Sequence, residues 1–143
     1  MKTLIERSYR IEEVDEIALE LKALLLQCKV MTLQGSLGAG KTTLVQSLLR
    51  SCGVNDIITS PTFTYVNRYE GGSGNIFYHF DCYRLESVQA FMNAGLGEYL
   101  YAPGSWSLIE WPEVVESLLT ESVCHVMLEY EGAESRRIVA TIL

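Results

Sequence analysis

A three-layer α/β fold with a mixed, mostly parallel sheet is expected from three observations on this 143-residue chain. Strand-like and helix-like periodicities alternate through the first half, a glycine-rich turn joins a buried strand to a helix, and two strand-like runs close the chain as a β-hairpin. The turn is Gly35-Ser36-Leu37-Gly38-Ala39-Gly40-Lys41-Thr42, which fits the phosphate-binding pattern G-x-x-x-x-G-K-[ST]. The expectation is a single P-loop NTPase-like domain over residues 1–143, with no repeats and no linker.

Residues 3–9 alternate enough for a first strand. Val14, Ile17, Ala18, Leu21, Leu24 and Leu25 then recur at helical spacing, with Glu12, Glu13, Asp15, Glu16, Glu20 and Lys22 on the other face. The early acids suit the positive end of the helix dipole. Ile11, at the junction, has two readings: core packing, or an apolar shelf for an adenine ring. Residues 28–34 read as the buried strand before the glycine-rich turn. Leu44, Val45, Leu48, Leu49 and Cys52 give the helix after it one apolar stripe, stopped by Gly53. Thr59-Ser60-Pro61-Thr62-Phe63-Thr64-Tyr65-Val66 reads as a polar turn that becomes a β-branched and aromatic strand. Gly71-Gly72-Ser73-Gly74-Asn75 is a hairpin loop, and residues 76–80 form an apolar strand that delivers Asp81. Leu85, Val88 and Phe91 allow a short helix, broken at residues 93–97. Residues 106–109 deliver Glu110, followed by Trp111-Pro112-Glu113. Core packing is the default for Trp106 and Trp111. Residues 123–130 and 137–143 make the closing hairpin.

The chemistry lies in the turn. Its three glycines let backbone N–H groups converge on an anion, and the helix N-terminus adds partial positive charge there. Lys41 then reaches the β- and γ-phosphates, and the Thr42 hydroxyl ligates Mg²⁺. Such a site needs a carboxylate at the end of a neighbouring strand. Asp81 and Glu110 both qualify, and the residues alone do not rank them. Ser60 and Thr62 offer hydroxyls in the segment that senses the γ-phosphate in nucleotide switches; a strand entry turned by Pro61 is the equal alternative. The chain contains no N-K-x-D guanine reader, and no D-x-x-G pattern starts at Asp81, so ATP is preferred over GTP.

With 11 basic and 18 acidic residues the net charge is −7, which argues against a direct grip on nucleic acid; any link to RNA runs through a protein partner. Cys28, Cys52, Cys82 and Cys124 lack C-x-x-C spacing and read as small buried thiols, and His79 and His125 stand alone in strand-like runs, which speaks against zinc. No basic, apolar leader opens the sequence and no apolar run reaches membrane-spanning length, so a cytosolic address and no membrane association are expected.

Taken together, residues 35–43, Ser60-Pro61-Thr62-Phe63-Thr64, His79-Phe80-Asp81-Cys82-Tyr83-Arg84-Leu85 and Ile109-Glu110-Trp111-Pro112-Glu113 resemble, in order and spacing, the bacterial TsaE (YjeE) family. The resemblance covers the chain from its first strand to about residue 113. It implies a small cytosolic ATPase needed to make N6-threonylcarbamoyladenosine at position 37 of tRNAs that read codons starting with adenine. It also implies that the protein does not perform the transfer. Instead it docks on the threonylcarbamoyltransferase subunit and that subunit's inactive paralogue, and its ATP cycle resets their complex. Carried over by motif, Gly35, Ser36, Leu37, Gly38, Ala39, Gly40, Lys41, Thr42 and Thr43 cradle the phosphates, while Thr42 and Glu110 hold Mg²⁺ and Glu110 also lies near the ATP phosphates. Asp81 becomes the second acid needed for hydrolysis, and Thr62 belongs to the switch-like segment. One departure is Ser36, where the family usually has Asp or Glu. Losing that charge beside the phosphates bears on the rate of hydrolysis rather than on binding.

Slow intrinsic turnover is expected, because Arg84 reads more readily as a salt-bridge partner than as an arginine finger. Two other functions compete. A small-molecule kinase would need an acceptor pocket and a basic lid, for which the chain has neither length nor residues. A non-hydrolysing module would use nucleotide only to order residues 59–65 for docking.

Overall fold

Val30, Met31, Thr32 and Leu33 of β2 (Val30–Gln34) have no exposed surface in the computed structural model, which describes residues 1–61 and 64–142. A strand buried on both faces belongs in the middle of a sheet covered on both sides. Six further strands flank it: β1 (Lys2–Arg10), β3 (Val66–Glu70), β4 (Ile76–Asp81), β5 (Ser105–Glu110), β6 (Val123–Tyr130) and β7 (Ser135–Ile142). They lie in the order β1-β7-β6-β2-β5-β4-β3. The pairings β6–β2, β2–β5 and β5–β4 are parallel, whereas β1–β7, β7–β6 and β4–β3 are antiparallel. The sheet is mixed as expected, with its parallel part in the middle and an antiparallel margin on each side. The closing hairpin is β6–β7. The first strand pairs with the last, which local periodicity does not reveal.

The amphipathic stripes of α1 (Val14–Leu24) and α2 (Lys41–Ser51) cover one face. Ile17, Leu21, Leu44 and Leu48 are wholly buried there, in one cluster with Met31, Leu33, Leu108, Val126 and Ile138. Each such side chain contributes roughly 1.5–3 kcal/mol when removed from water. The other layer is thin. The single-turn-and-a-half helix α3 (Val88–Asn93), started by Ser87 accepting the Ala90 N–H at 3.1 Å, and the 3₁₀ segment Pro112–Leu118 bury Phe91 and Val115 with Phe80 and Ile109. On the same face His125, Arg137 and Val139 are only half-buried and Met127 is exposed.

Parallel pairing brings three strand ends to one line. Leu33 of β2 and Asp81 of β4 both stand opposite Glu110 of β5, so the glycine-rich turn after β2 opens beside both acids. In open parallel sheets ligands bind at this carboxyl edge.

Candidate nucleotide and metal site

The turn after β2 is shaped by its glycines. Gly35 (φ +155°) passes the backbone of β6 so closely that a Cβ there would lie 2.5 Å from the Leu128 carbonyl oxygen. Gly40 (φ +100°) is left-handed and hands the chain directly into α2 at Lys41. The result is a helix N-terminus facing a cavity of about 350 Å³, lined by Leu37 and its successors through Thr43 and, from the other side, by Ser60, Asp81, Glu110 and Trp111. That volume lies within the range of small-ligand clefts.

At the floor of the cavity the Thr42 hydroxyl lies 3.0 Å from Oε1 and 3.2 Å from Oε2 of Glu110, and 3.2 Å from the Ser60 Oγ. Glu110 is 2% exposed, and its Oε2 also meets the His79 Nε2 at 2.6 Å. Asp81 lines the same cavity, with Oδ1 accepting the Tyr83 N–H at 3.0 Å. Burial pushes the Asp81 carboxyl above the usual range, and the nearby Glu110 adds to this; the Tyr83 N–H, His79 and Lys41 oppose it. A threonine hydroxyl, a serine hydroxyl and a carboxylate form an all-oxygen donor set, which suits a hard cation such as Mg²⁺.

Lys41 is folded back on its own loop. Its ammonium donates to the carbonyl oxygens of Gly35 and, at 3.2 Å, of Ser36, and it rests 3.8 Å from the centroid of the Trp111 ring. Burial lowers the pKa of this ammonium, against the pull of Glu110, Asp81 and Glu113. Trp111 is half-buried and does both: it packs against the core cluster of Phe80, Phe91 and Ile109, as its default reading expects, and it forms one wall of the cavity. It takes a left-handed backbone (φ +55°) before Pro112, which turns the ring towards Lys41 and Tyr83, the latter with centroids 4.8 Å apart. Trp106 is likewise half-buried and packs against the other core cluster, with Nε1 donating to the Leu25 and Cys28 carbonyls at 2.9 Å.

The structure thus brings Leu37, Gly38, Ala39, Gly40, Lys41, Thr42, Thr43, Asp81 and Glu110 around one cavity, while Gly35 and Ser36 sit behind it as acceptors for Lys41. Ile11 is 42% exposed and lines a smaller hollow of about 140 Å³ on the opposite side of the loop, beside Tyr9, Gly38, Thr43 and Arg136. Thr62 lies outside the described residues. Arg84 has no carboxylate partner among the described residues; it is exposed beside Ser60 and Asp81, so the expected salt bridge is not among the described contacts. Three of the four cysteines are buried and Cys52 is half-buried, all as free thiols.

Sequence reasoning missed Arg136. It reaches from β7 to donate to the carbonyls of Ala39 (3.1 Å), Gly38 (3.4 Å) and Gly132 (3.0 Å), and its guanidinium lies over the Tyr130 ring. The adjacent arginines 136 and 137 were visible. What would have separated them is strand alternation, which turns Arg136 inwards and Arg137 to the other face.

Comparison with known proteins gives one consistent result. The chain matches the family model described as "Threonylcarbamoyl adenosine biosynthesis protein TsaE" over residues 8–138. It is 35% identical over 141 residues to the tRNA threonylcarbamoyladenosine biosynthesis protein TsaE of Bacillus subtilis (strain 168), covering 99% of this chain and 87% of that protein. The protein of the same name from Treponema pallidum (strain Nichols) is 40% identical over 115 residues, 80% of this chain and 83% of its own. Among solved structures, the crystal structure of YdiB from Bacillus subtilis superposes with a TM-score of 0.73 at 29% identity, over 99% of this chain and 88% of that one.

Proposed function

Since the chain belongs to the TsaE family of tRNA threonylcarbamoyladenosine biosynthesis proteins, we propose that it is the Mg²⁺-dependent ATPase of that pathway, acting on the threonylcarbamoyltransferase complex rather than performing the transfer. The observation that carries this reading is the contact of Thr42 with Glu110, at the N-terminus of α2 and the carboxyl edge of the sheet. Those two residues hold the metal. The loop N–H groups of residues 37–43 and the dipole of α2 bind the phosphates.

Mg²⁺, when bound, draws charge from the phosphate oxygens and so eases attack on phosphorus. The chain supplies the rest. Lys41 leaves the Gly35 and Ser36 carbonyls to neutralise charge that develops on the γ-phosphate during in-line attack by water. Asp81, at the strand end next to Glu110, is the second acid needed for hydrolysis, positioned to accept a proton or orient that water. Ser60, within reach of Thr42, brings the segment after α2 into contact with the metal site. Ile11 shelves the adenine. The partners are the transferase subunit and its inactive paralogue, and the site of action is the cytosol. No helix among the described residues is long and apolar enough to cross a membrane.

Calorimetric titration with ATP tests this. Wild-type protein is expected to bind ATP, more tightly with Mg²⁺ than with a chelator, and Lys41→Ala to bind at least ten-fold more weakly. Unchanged binding by Lys41→Ala would remove the phosphate site from the reading.

A further inference from the structure

His79 has no role in what has been described so far, and its position is chemically costly. Alternation along β4 puts Phe77, His79 and Asp81 on the face covered by α2, and the register sets His79 opposite Leu108, two residues before Glu110. The imidazole is wholly buried. Its Nδ1 has no hydrogen-bond partner among the described residues. Leaving a buried polar atom unpaired costs about 1–3 kcal/mol, a penalty that a phenylalanine or leucine beside Phe77 and Leu108 would not carry. Packing therefore does not account for a histidine here.

Its other nitrogen does. Nε2 lies 2.6 Å from Oε2 of Glu110, and a carboxylate only accepts, so Nε2 carries the proton. Glu110 has three rotatable bonds and is 2% exposed. Thr42 reaches both of its oxygens through a hydroxyl that rotates freely. The imidazole does not rotate freely: it is set in β4, paired on both sides by β5 and β3, and is wholly buried. We propose that His79 is the positioning residue for Glu110. Its Nε2–H fixes Oε2, so that Oε1 stays with the Thr42 hydroxyl as the metal-facing oxygen. Groups that orient a metal's ligands from behind commonly contribute about 10–100-fold in metal affinity.

This rests on the reading of Thr42 and Glu110 as a Mg²⁺ site, and the test separates the two. A fluorescent ATP analogue is titrated into wild-type, His79→Phe and His79→Gln protein, with a chelator and then at rising Mg²⁺. His79→Phe keeps ring volume and loses the donor; His79→Gln restores an N–H near the Nε2 position. The expected result is equal affinity in chelator for all three. His79→Phe should need about 10–100-fold more Mg²⁺ to reach its tight-binding state, and His79→Gln should recover most of that loss. A wild-type protein that ignores ATP or Mg²⁺ would sink the site itself. A wild-type protein that responds to both, with His79→Phe matching it, would sink only the role of His79.

A measurement on the wild-type protein guards against a variant that does not fold. With only two histidines in the chain, ring ¹⁵N spectra are assignable with a His125→Gln control. His79 should be the Nε2–H tautomer, with a slowly exchanging proton whose shift moves when Mg²⁺ and a non-hydrolysable ATP analogue are added. A Nδ1–H tautomer, or a shift that stays fixed, would overturn the proposal.

Discussion

Lys41 and Asp81 show how single residues trade stability for chemistry at this site. Burial holds the Asp81 carboxyl above its ordinary range, and Glu110 pushes it the same way. A carboxyl raised in the folded state stabilises the fold only when protonated: its contribution is present below the ordinary carboxylate pKa and is lost as pH rises through the raised value. Ionised Asp81 is thus a liability at neutral pH. Asp81→Asn, which keeps an oxygen for the Tyr83 N–H, should stabilise the nucleotide-free protein by about 0.5–1 kcal/mol at pH 7 and abolish ATP hydrolysis. Denaturant unfolding should show that gain shrinking to nothing under acid, where both side chains are neutral. Trp111 offers a second readout at this scale. Its ring carries the Lys41 ammonium at 3.8 Å, and the proposed move of Lys41 to the phosphates would break that contact, so ATP should change tryptophan emission. Trp106→Phe should keep that change and Trp111→Phe should lose it.

Between elements, the loop is held from behind by the C-terminal hairpin. Arg136 spans from β7 to the Gly38 and Ala39 carbonyls while 7% exposed. Arg136→Ala should cost about 2–3 kcal/mol, because charged hydrogen bonds are lost and buried carbonyls are left unpaired, and it should weaken ATP binding at the same time. The joint between α2 and the β3–β4 hairpin is equally tight. Gly53 is left-handed (φ +86°), and a Cβ on it would lie 2.6 Å from the Gly72 nitrogen. Gly53→Ala should lower stability by about 2–4 kcal/mol in thermal unfolding, through backbone strain and overlap that flexible side chains cannot relieve. These elements were unequally legible in the sequence. The α1 and α2 stripes, the stop at Gly53 and the strands delivering Asp81 and Glu110 are local patterns, and local patterns can be read. The pairing of β1 with β7 depends on contacts between the two ends of the chain; likewise, alternation could have turned Arg136 inwards, but that it meets the Gly38 and Ala39 carbonyls was hidden. Trp111 was legible only in part: its aromatic bulk suggests core, against which it does pack, while the left-handed backbone just before Pro112 also makes its ring a wall of the cavity.

For the whole molecule, the same distinction holds. The composition and charge of the chain argued for a protein that meets RNA only through a partner, and a surface with net charge −7 keeps that expectation testable. Purified protein should not retain tRNA in a filter-binding assay at low salt, whereas adding the transferase pair should. The elements that line the cavity were readable because a loop, a helix and a strand-end acid each leave a local signature. Which acid meets Thr42 could not be ranked from the residues alone, since it depends on the register between β2 and β5; the family resemblance had pointed to Glu110. Phosphate release from ATP, by this protein alone and then with the transferase subunit and its inactive paralogue, brings residue, element and molecule into one experiment. Slow release alone, raised at least ten-fold by the pair and lost in Glu110→Ala, is the expected result. A rate that stays flat with the pair but rises when small-molecule metabolites are supplied would contradict it and make the protein a kinase.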